Sequence, residues 1–409
     1  MTKTRIAVLQ NGLIRGGTER FVINLCKGLD KEKFDITVIN PSLRREEQVL
    51  EPEVVAAGAK VIHTTTIAGL GGRVKHLYRL YKILRQGRYD VFHTNMDLFN
   101  GCNLLVARFA NVPVRICHSH ASCQETELRK GRTPAITAYQ GIMRWLCWHC
   151  ANRHIGCSEE ANDFMYRGRE WRKAPYPSVI YNGIETEKYT LPATTDYSFE
   201  PGRRYILAVG RFVLQKNPEF VLEIMEKLKI SRPDIHLLWV GGGELFETIR
   251  NDATRRGLCS GNDGDQQPSQ LIPQSAAQPS QIIRPSATQG APQSKEGNIE
   301  FLGWRDDIPA LMQQSSLLLM PSHFEGLSIT LIEAQAAGLP CLVSDTVTKQ
   351  AQCGLIEYKS LSDGAQSWAE TIEKMLDTDA PRPTADTQAL SRFTVPFMAS
   401  TIGRVIKIY

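Results

Sequence analysis

Two glutamates stand eight positions apart in HFEGLSITLIEAQAAGLP, residues 323–340. Glu325 comes just before a glycine that marks a turn, and Glu333 lies in a run with the composition of a helix, which ends at Gly-Leu-Pro. Carboxylates accept hydrogen bonds from hydroxyl groups, so the pair suits a polyol such as a sugar or a ribose. The N–H groups of Gly326 and Leu327 begin the helix, where an anion is favoured. The simpler interpretation is a helix-start acid followed by a solvated helix position.

Two other loops have residues that suit phosphate. In GRFVLQKNP, Arg211 follows a strand and Lys216 precedes the next helix. Ligands of open α/β sheets bind at that edge, and two cations on one loop suit a diphosphate. In LQNGLIRGGTERF, Gly16 and Gly17 stand at the start of a helix, where backbone N–H groups can approach a phosphate closely. A G-x-G-x-x-G fingerprint is absent, which argues against a dinucleotide, and each loop alone fits a solvated turn equally well.

Strand-like and helix-like runs alternate along the chain, which predicts parallel sheets covered by helices on both faces. The runs RIAVLQ, FDITVIN, YDVFHTN, VPVRICHSH and RHIGCS read as strands of a first domain, residues 1–195. A second domain, residues 200–393, has RRYILAVGRF, IHLLWVGGG, IEFLGW, SLLLMPS and LPCLVSD. A low-complexity insertion rich in Gln, Ser and Pro spans 259–297, and a terminal helix in 394–409 is expected to pack back on the first domain. The three loops would then line one cleft, whose ligand carries a diphosphate and several hydroxyls, as a nucleotide sugar does.

Five motifs follow one another in order across both domains: GGTERFVINL, GRFVLQKNP, VGGGE, FLGW and PSHFEGLSITLIEAQAAGLP. Together they resemble the family 4 retaining glycosyltransferases of the GT-B fold, whose mark is the E-x7-E spacing, and bacterial exopolysaccharide and capsule transferases in particular. The resemblance covers nearly the whole chain apart from the insertion. It implies an α/β architecture of two Rossmann-like, parallel-sheet domains that face each other across a cleft.

The resemblance also implies roles for the matching residues. Glu325 would hold the hydroxyls of the donor sugar, and Glu333 would bind the ribose. Arg211 and Lys216 would neutralise the diphosphate as it leaves. The residues implied for donor binding are Gly16, Gly17, Arg211, Lys216, Glu325, Gly326, Leu327 and Glu333.

A histidine after a first-domain strand lies near the donor sugar in this family. The run RICHSHAS offers His118 and His120, of which His120 is favoured and His118 stays open. With Glu325, Arg211 and Lys216, these two histidines complete the catalytic set that the resemblance implies.

The reaction implied by the resemblance is transfer of a hexose with retention of configuration, without a cofactor or a metal ion. The donor would most simply be a UDP-sugar, and the acceptor a glycan or lipid-linked glycan of a bacterial surface polysaccharide. A nucleotide-sugar 2-epimerase of similar build and a non-catalytic nucleotide-sugar-binding subunit are the alternatives. A zinc site in LCWHCANRHIGC is the weaker interpretation of that run, because no second C-x2-C pair follows.

Charge is spread unevenly along the chain. Up to Asp196 there are 28 Lys and Arg against 19 Asp and Glu, whereas the remainder has 20 against 24. A basic first half indicates an anionic partner, but no nucleic-acid-binding module is recognisable. Residues 73–88 form a basic amphipathic helix in which one apolar face is expected to combine Val74, Leu77, Tyr81 and Leu84, and a basic face Lys75, Arg79 and Lys82. A solvated basic face is the common outcome, and contact with an anionic membrane is the functional alternative.

The first residues, the apolar runs and the cysteines of the chain bear on its cellular compartment. The chain opens directly on a strand-like run without a signal peptide, and no window approaches 18 uninterrupted apolar residues. Its ten cysteines are scattered, which fits reduced thiols better than a disulfide framework. We therefore expect a cytoplasmic protein, with peripheral contact at the inner face of the cell membrane as an addition.

Overall fold

The structure, a computed structural model, describes residues 2–42, 48–123, 129, 131, 133–259, 297–377 and 381–407. The low-complexity insertion predicted at 259–297 lies outside the described residues except for its two end residues.

The first domain is built on a parallel sheet whose strands run mostly buried. Its strands are β1 (Thr4–Leu9), β2 (Phe34–Asn40), β3 (Lys60–His63), β4 (Val91–Thr94), β5 (Val114–Ser119) and β6 (Arg153–Gly156). They lie in the order β3-β2-β1-β4-β5-β6. Five of these six strands match the runs predicted from the sequence. The prediction missed β3, a four-residue edge strand without a buried residue.

Helices cover both faces of this sheet. They are α1 (Gly17–Gly28), α2 (Glu51–Ala56), α3 (Gly69–Gly87), α4 (Asn100–Phe109), α5 (Pro134–Cys150) and α6 (Glu159–Met165). Side-chain caps mark two of their starts, since Thr133 accepts a hydrogen bond from the N–H of Ile136 before α5 and Ser158 accepts one from that of Ala161 before α6. Two separate apolar clusters fill the space between these helices and the two sheet faces.

The second domain repeats this plan. Its strands are β7 (Arg204–Val209), β8 (Ile235–Val240), β9 (Ile299–Gly303), β10 (Leu317–Met320), β11 (Cys341–Ser344) and β12 (Ile356–Lys359), in the order β12-β11-β10-β7-β8-β9. The helices between the domains and along the sheet are α7 (Glu187–Thr190), α8 (Pro218–Ser231), α9 (Phe246–Arg255), α10 (Ile308–Gln314), α11 (Ile329–Ala336), α12 (Gly364–Leu376) and α13 (Thr387–Ser391). The prediction of two parallel-sheet α/β domains is confirmed.

The chain crosses between the domains twice, and the two crossings lie side by side. The N–H of Ile184 donates to the carbonyl of Phe393 at 2.7 Å, and the N–H of Val395 donates to the carbonyl of Ile184 at 3.2 Å. The last helix, α14 (Val395–Ile406), then packs on α1 and joins the apolar cluster of the first domain. Backbone hydrogen bonds thus hold the two crossings together where the domains meet.

None of the helices in the described part of the chain combines the length and the apolar composition that a bilayer-spanning segment needs.

Candidate active site

A cavity of about 490 Å³ lies between the two domains. The first domain contributes Gly16 and Arg20 to its wall, and the second contributes Gly210, Gly241 and Glu333. Gly210 and Gly241 directly follow β7 and β8, so the cavity lies at the carboxyl edge of the second sheet. Its volume is that of a small-molecule site, and its place is the one where open parallel sheets bind ligands.

Lys216 and Glu325 form an ion pair beside this cavity. Lys216 Nζ lies 2.6 Å from Glu325 Oε1, and the two side chains are 23% and 10% exposed. Gln215 connects their loops, because its side chain donates to the carbonyl of Phe324 at 3.0 Å and its carbonyl accepts from the N–H of His323 at 2.8 Å. The structure therefore brings together a cation and a carboxylate that are 109 positions apart.

The loop that carries Glu325 also touches the first domain. A Cβ atom on Gly326 would lie 2.1 Å from the carbonyl oxygen of His120, so any side chain here would collide with the backbone of the first domain. Ser122 Oγ donates to the carbonyl of Glu325 at 2.6 Å. Leu327, which follows Gly326, is buried in the core of the second domain. Because α11 begins later than predicted, at Ile329, the amides of Gly326 and Leu327 precede the helix rather than form its first turn.

Arg211 is an exposed cation close to Lys216. The two residues line a small cavity of about 30 Å³ together with Gly210 and Ser322. Within the described ranges, Arg211 makes no ion pair, in contrast to Lys216. The guanidinium is therefore available to an anionic ligand that enters from the cleft.

Glu333 lies in the second turn of α11 and faces the larger cavity. Burial raises the pKa of its carboxyl group, while a hydrogen bond from Tyr189 and the charges of Arg20 and Lys188 lower it. The carboxyl group thus interacts with Arg20 of the first domain, and it lines a cavity that the Lys216–Glu325 pair does not line. The two glutamates do not face each other across one bond, as an acid and a base would.

Replacing Glu333 with glutamine is expected to weaken binding of UDP by about tenfold, because one strong charge-assisted acceptor is lost. The wild-type affinity should also fall as the pH drops through the raised pKa of Glu333, since the protonated group accepts fewer hydrogen bonds. Calorimetric titration with UDP checks both effects. Glu370→Gln, an exposed change on α12, is the matched control. Equal affinities for both variants would remove Glu333 from the site.

At the start of α1, Gly16 and Gly17 lie at the cleft. A Cβ atom on Gly17 would lie 3.8 Å from Cδ1 of Ile329, at the start of α11. A Cβ atom on Gly16 would lie 2.4 Å from Glu19 Oε2, and Thr18 Oγ1 donates to the same oxygen at 3.0 Å. Burial raises the pKa of Glu19. A carboxyl group that the sequence reasoning missed therefore occupies the helix start where a phosphate is expected.

The two candidate histidines have different surroundings. His118 is fully buried, and its Nδ1 lies 3.0 Å from Nε2 of His93. His120 is half-buried, and its Nε2 lies 2.9 Å from Oδ1 of Asn95. Burial lowers the pKa of both, to about 3 for His120, so both rings are neutral at physiological pH. His120 Nδ1 is buried and has no hydrogen-bond partner among the described residues.

Asp97 is a further acidic residue at this edge that sequence reasoning missed. It follows β4, has a left-handed backbone (φ 46°), and accepts a backbone hydrogen bond from His120. Its Oδ1 is buried without a partner in the described part of the chain. Burial raises its pKa to about 6. A strained backbone and an unpaired buried oxygen are both costs to stability of the kind found at functional sites.

We expect Asp97→Asn to stabilise the protein at neutral pH by up to about 3 kcal/mol. The pKa of Asp97 is about 6 in the folded protein against an ordinary 3.8, so between these pH values the folded form keeps a proton that the unfolded form has lost. The wild type therefore loses stability as the pH rises through about 6, because Asp97 must then ionise in a buried site, and asparagine avoids this loss. Asparagine keeps the shape and tolerates the left-handed backbone. Urea unfolding of both proteins at pH 4 and pH 7 measures the effect. A stability difference that does not grow with pH would show that Asp97 is ionised at no cost.

No metal-binding cluster of three or more His, Cys, Asp and Glu side chains occurs among the residues that the structure describes. In the run that suggested zinc, His154 Nε2 instead donates to the carbonyl of Trp148 at 3.0 Å.

Both parts of the chain match family profiles of known proteins. The profile of Glycosyltransferase Family 4 matches residues 15–188, and profiles of Glycosyl transferases group 1 match residues 195–261 and 280–378. EpsF of Bacillus subtilis, which is named as a glycosyltransferase, is 26% identical over 100% of this chain and 97% of its own length. The UDP-Gal:alpha-D-GlcNAc-diphosphoundecaprenol alpha-1,3-galactosyltransferase of Escherichia coli is 26% identical over 84% and 80%. The fold is that of HepE of Anabaena in complex with UDP-glucose, with a TM-score of 0.70 and 16% identity over 98% of each chain.

Proposed function

We propose that the chain, which matches Glycosyltransferase Family 4 in its first part and Glycosyl transferases group 1 in its second, is a family 4 glycosyltransferase of the GT-B fold. It transfers a hexose from a UDP-sugar to a glycan or lipid-linked glycan in the synthesis of a bacterial surface polysaccharide. The observation that carries the proposal is the Lys216–Glu325 ion pair beside the interdomain cavity that Glu333 lines. A diphosphate needs cations, and a sugar and a ribose each need hydroxyl acceptors. The interdomain cavity that Glu333 lines and the small cavity that Lys216 and Arg211 line share Gly210, so these groups lie next to one another.

In this proposal the donor lies along the cleft with the ribose at Glu333 and the sugar at Glu325. The diphosphate then passes Lys216 and Arg211. Negative charge grows on the diphosphate as the bond to the sugar breaks, and fixed cations stabilise that charge more than they stabilise the bound donor. No metal ion or cofactor is assigned a role in the step.

Retention of configuration is proposed through attack from the face that the leaving group vacates. Glu325 pairs with Lys216, which suits a hydrogen-bond acceptor better than an attacking nucleophile. The acceptor hydroxyl would approach from the first domain, past the neutral ring of His120 and the carboxyl group of Asp97. Asp97, with a pKa of about 6, can take up the hydroxyl proton near neutral pH.

The identity of the substrates is carried by relatives. The Escherichia coli relative is named for UDP-Gal and a diphosphoundecaprenol acceptor, and HepE binds UDP-glucose. These names support UDP as the nucleotide and a lipid diphosphate as the carrier of the acceptor. Most of the cysteines, Cys26, Cys117 and Cys341 among them, are free buried thiols, which supports a reducing compartment such as the cytoplasm.

The test is turnover of labelled UDP-sugars by the full chain, with a lipid extract of bacterial membranes as the source of acceptor. We expect one UDP-sugar to give labelled glycolipid with the anomeric configuration of the donor. Inverted product would overturn retention alone, whereas an epimerised sugar nucleotide without glycolipid would favour the epimerase. Binding of UDP without turnover on any donor would favour a non-catalytic partner subunit.

A further inference from the structure

Part of the wall of the interdomain cavity belongs to neither sheet. Ile184, Lys188 and Tyr189 line the cavity together with Glu333. They lie in residues 184–191, which begin at the first crossing between the domains and contain α7. We call these residues the crossing segment. The cavity is therefore built from three pieces of the chain, namely the two sheet domains and the crossing segment.

Polar contacts hold the crossing segment against both domains. On the side of the first domain, Lys27 Nζ of α1 lies 2.8 Å from Glu185 Oε1. On the side of the second domain, Gln313 Nε2 of α10 donates to the carbonyl of Tyr189 at 2.9 Å and to that of Leu191 at 2.7 Å. Because its backbone is fixed on both sides, a side chain of this segment can hold a defined position in the cavity wall.

The hydroxyl group of Tyr189 contacts the carboxyl group of Glu333. Burial raises the pKa of Tyr189, and the negative charge of Glu333 raises it further, so the hydroxyl group keeps its proton at physiological pH. The hydroxyl group donates a hydrogen bond to Glu333, and this bond lowers the pKa of the carboxyl group against the effect of burial. Tyrosine is therefore the donor of this pair and the carboxylate is the acceptor.

Two cations near Glu333 have carboxylate partners of their own. Arg20 and Lys188 line the same cavity, and their charges lower the pKa of Glu333. Arg20 Nη1 lies 2.6 Å from Glu53 Oε2, and Lys188 Nζ lies 2.7 Å from Glu185 Oε1. Since both cations are engaged elsewhere, we assign the orientation of the Glu333 carboxylate to Tyr189.

A carboxylate that is oriented before the ligand arrives suits a diol. Its two oxygens offer about four acceptor positions, of which the tyrosine hydroxyl takes one. A glutamate side chain that is free to rotate loses conformational entropy when a ligand fixes it, and a hydrogen bond that is already present reduces that loss. Tyr189 can therefore strengthen a contact that it does not itself make.

We propose that Tyr189 is a positioning residue for the ribose of the donor, whose hydroxyl group orients Glu333 to accept from the 2′- and 3′-hydroxyls. The inference rests on the proposed function, in which Glu333 binds the ribose. It adds a specificity that the crossing segment provides, because a correctly oriented carboxylate distinguishes a ribonucleotide from its deoxy analogue.

Calorimetric titration of Tyr189→Phe with UDP and 2′-deoxy-UDP tests the inference. The wild type is expected to bind UDP at least about tenfold more tightly than 2′-deoxy-UDP, since a site built to bind a hydroxyl group rejects an analogue without it. In Tyr189→Phe the affinity for UDP should fall about fivefold and that for 2′-deoxy-UDP less than about twofold. Tyr78→Phe, at a 59% exposed position on α3, is the matched control for loss of a phenol hydroxyl group.

Turnover and a double variant separate positioning from a purely structural role. Tyr189→Phe should raise the KM for the sugar nucleotide about fivefold and leave kcat within about twofold, because the ribose contact is the same in the bound donor and in the transition state. In a Glu333→Ala background, Tyr189→Phe should change UDP affinity by less than about twofold, since the group that it orients is gone.

The contrary outcomes differ for the inference and for the proposed function. Equal loss of affinity for UDP and 2′-deoxy-UDP, a fall in kcat at unchanged KM, or additive effects of Tyr189→Phe and Glu333→Ala would overturn the inference. If Tyr189→Phe equals the wild type while Glu333→Ala loses UDP affinity, the inference fails and the proposed function stands. If the wild type does not bind UDP, both fail.

Discussion

Lys216→Met is expected to lower turnover of the sugar nucleotide by about 10²- to 10³-fold, the loss seen when one fixed donor to developing charge is removed. Methionine keeps much of the side-chain length and removes the charge together with the N–H donors of the ammonium group. Its effect should exceed the loss of one attraction, because Glu325 then stands without a counter-ion next to the leaving diphosphate. The affinity for UDP should fall as well, so the variant is expected to be weaker both in nucleotide binding and in the chemical step.

Steady-state UDP release and calorimetric UDP binding measure the two effects of Lys216→Met separately. Lys227→Met, an exposed change on α8, is the control for loss of a positive charge far from the cleft. A turnover within threefold of the wild type, which corresponds to about 0.7 kcal/mol of activation free energy, would exclude Lys216 from stabilising the leaving group.

Glu325→Gln is expected to lower turnover by about 10²-fold while UDP binds at least as tightly as before. The carboxylate is assigned to the sugar, which UDP lacks, so its loss removes a contact that only the full donor makes. The change also frees Lys216 from its ion pair, which leaves the ammonium group to the phosphates alone. The two members of one ion pair should thus have opposite effects on UDP affinity.

Comparison of both single variants with the double variant tests this assignment. If Lys216 and Glu325 act on one donor, their effects on turnover should be far from additive, since each change alters the role of the other residue. Weaker UDP binding in Glu325→Gln, by as much as in Lys216→Met, would instead assign Glu325 to the nucleotide.

The alternation of strands and helices was enough to predict the fold because each central strand is a compact apolar run. The two strands that were missed, β3 and β12, are four-residue edge strands. Edge strands pack on one neighbour only and need fewer apolar residues, so their pattern is weak. The apolar face expected on α3 is covered only in part, since Leu84 is buried whereas Val74 and Tyr81 are exposed, and helical spacing alone does not tell which apolar side chains are covered.

Part of the site followed from the sequence because parallel strands place their following loops at one edge. That rule brought Glu325 and Lys216 together without knowledge of their contact. The choice between His118 and His120 depended on the exact end of β5, which sequence does not define to one residue. The only sequence feature that could have indicated Asp97 is its place after β4, at the same edge of the sheet. Its neighbouring residues predict neither its left-handed backbone nor the burial of its carboxyl group.

The central claim is that Glu325 and Glu333 hold two parts of one donor across the interdomain cleft. A crystal structure of the full chain with UDP tests it most directly. The account predicts ribose hydroxyls within hydrogen-bonding distance of Glu333 and a diphosphate in contact with Lys216 and Arg211, next to an empty sugar position at Glu325. UDP bound outside the cleft, or with its diphosphate at Glu333 and its ribose at Glu325, would contradict the account.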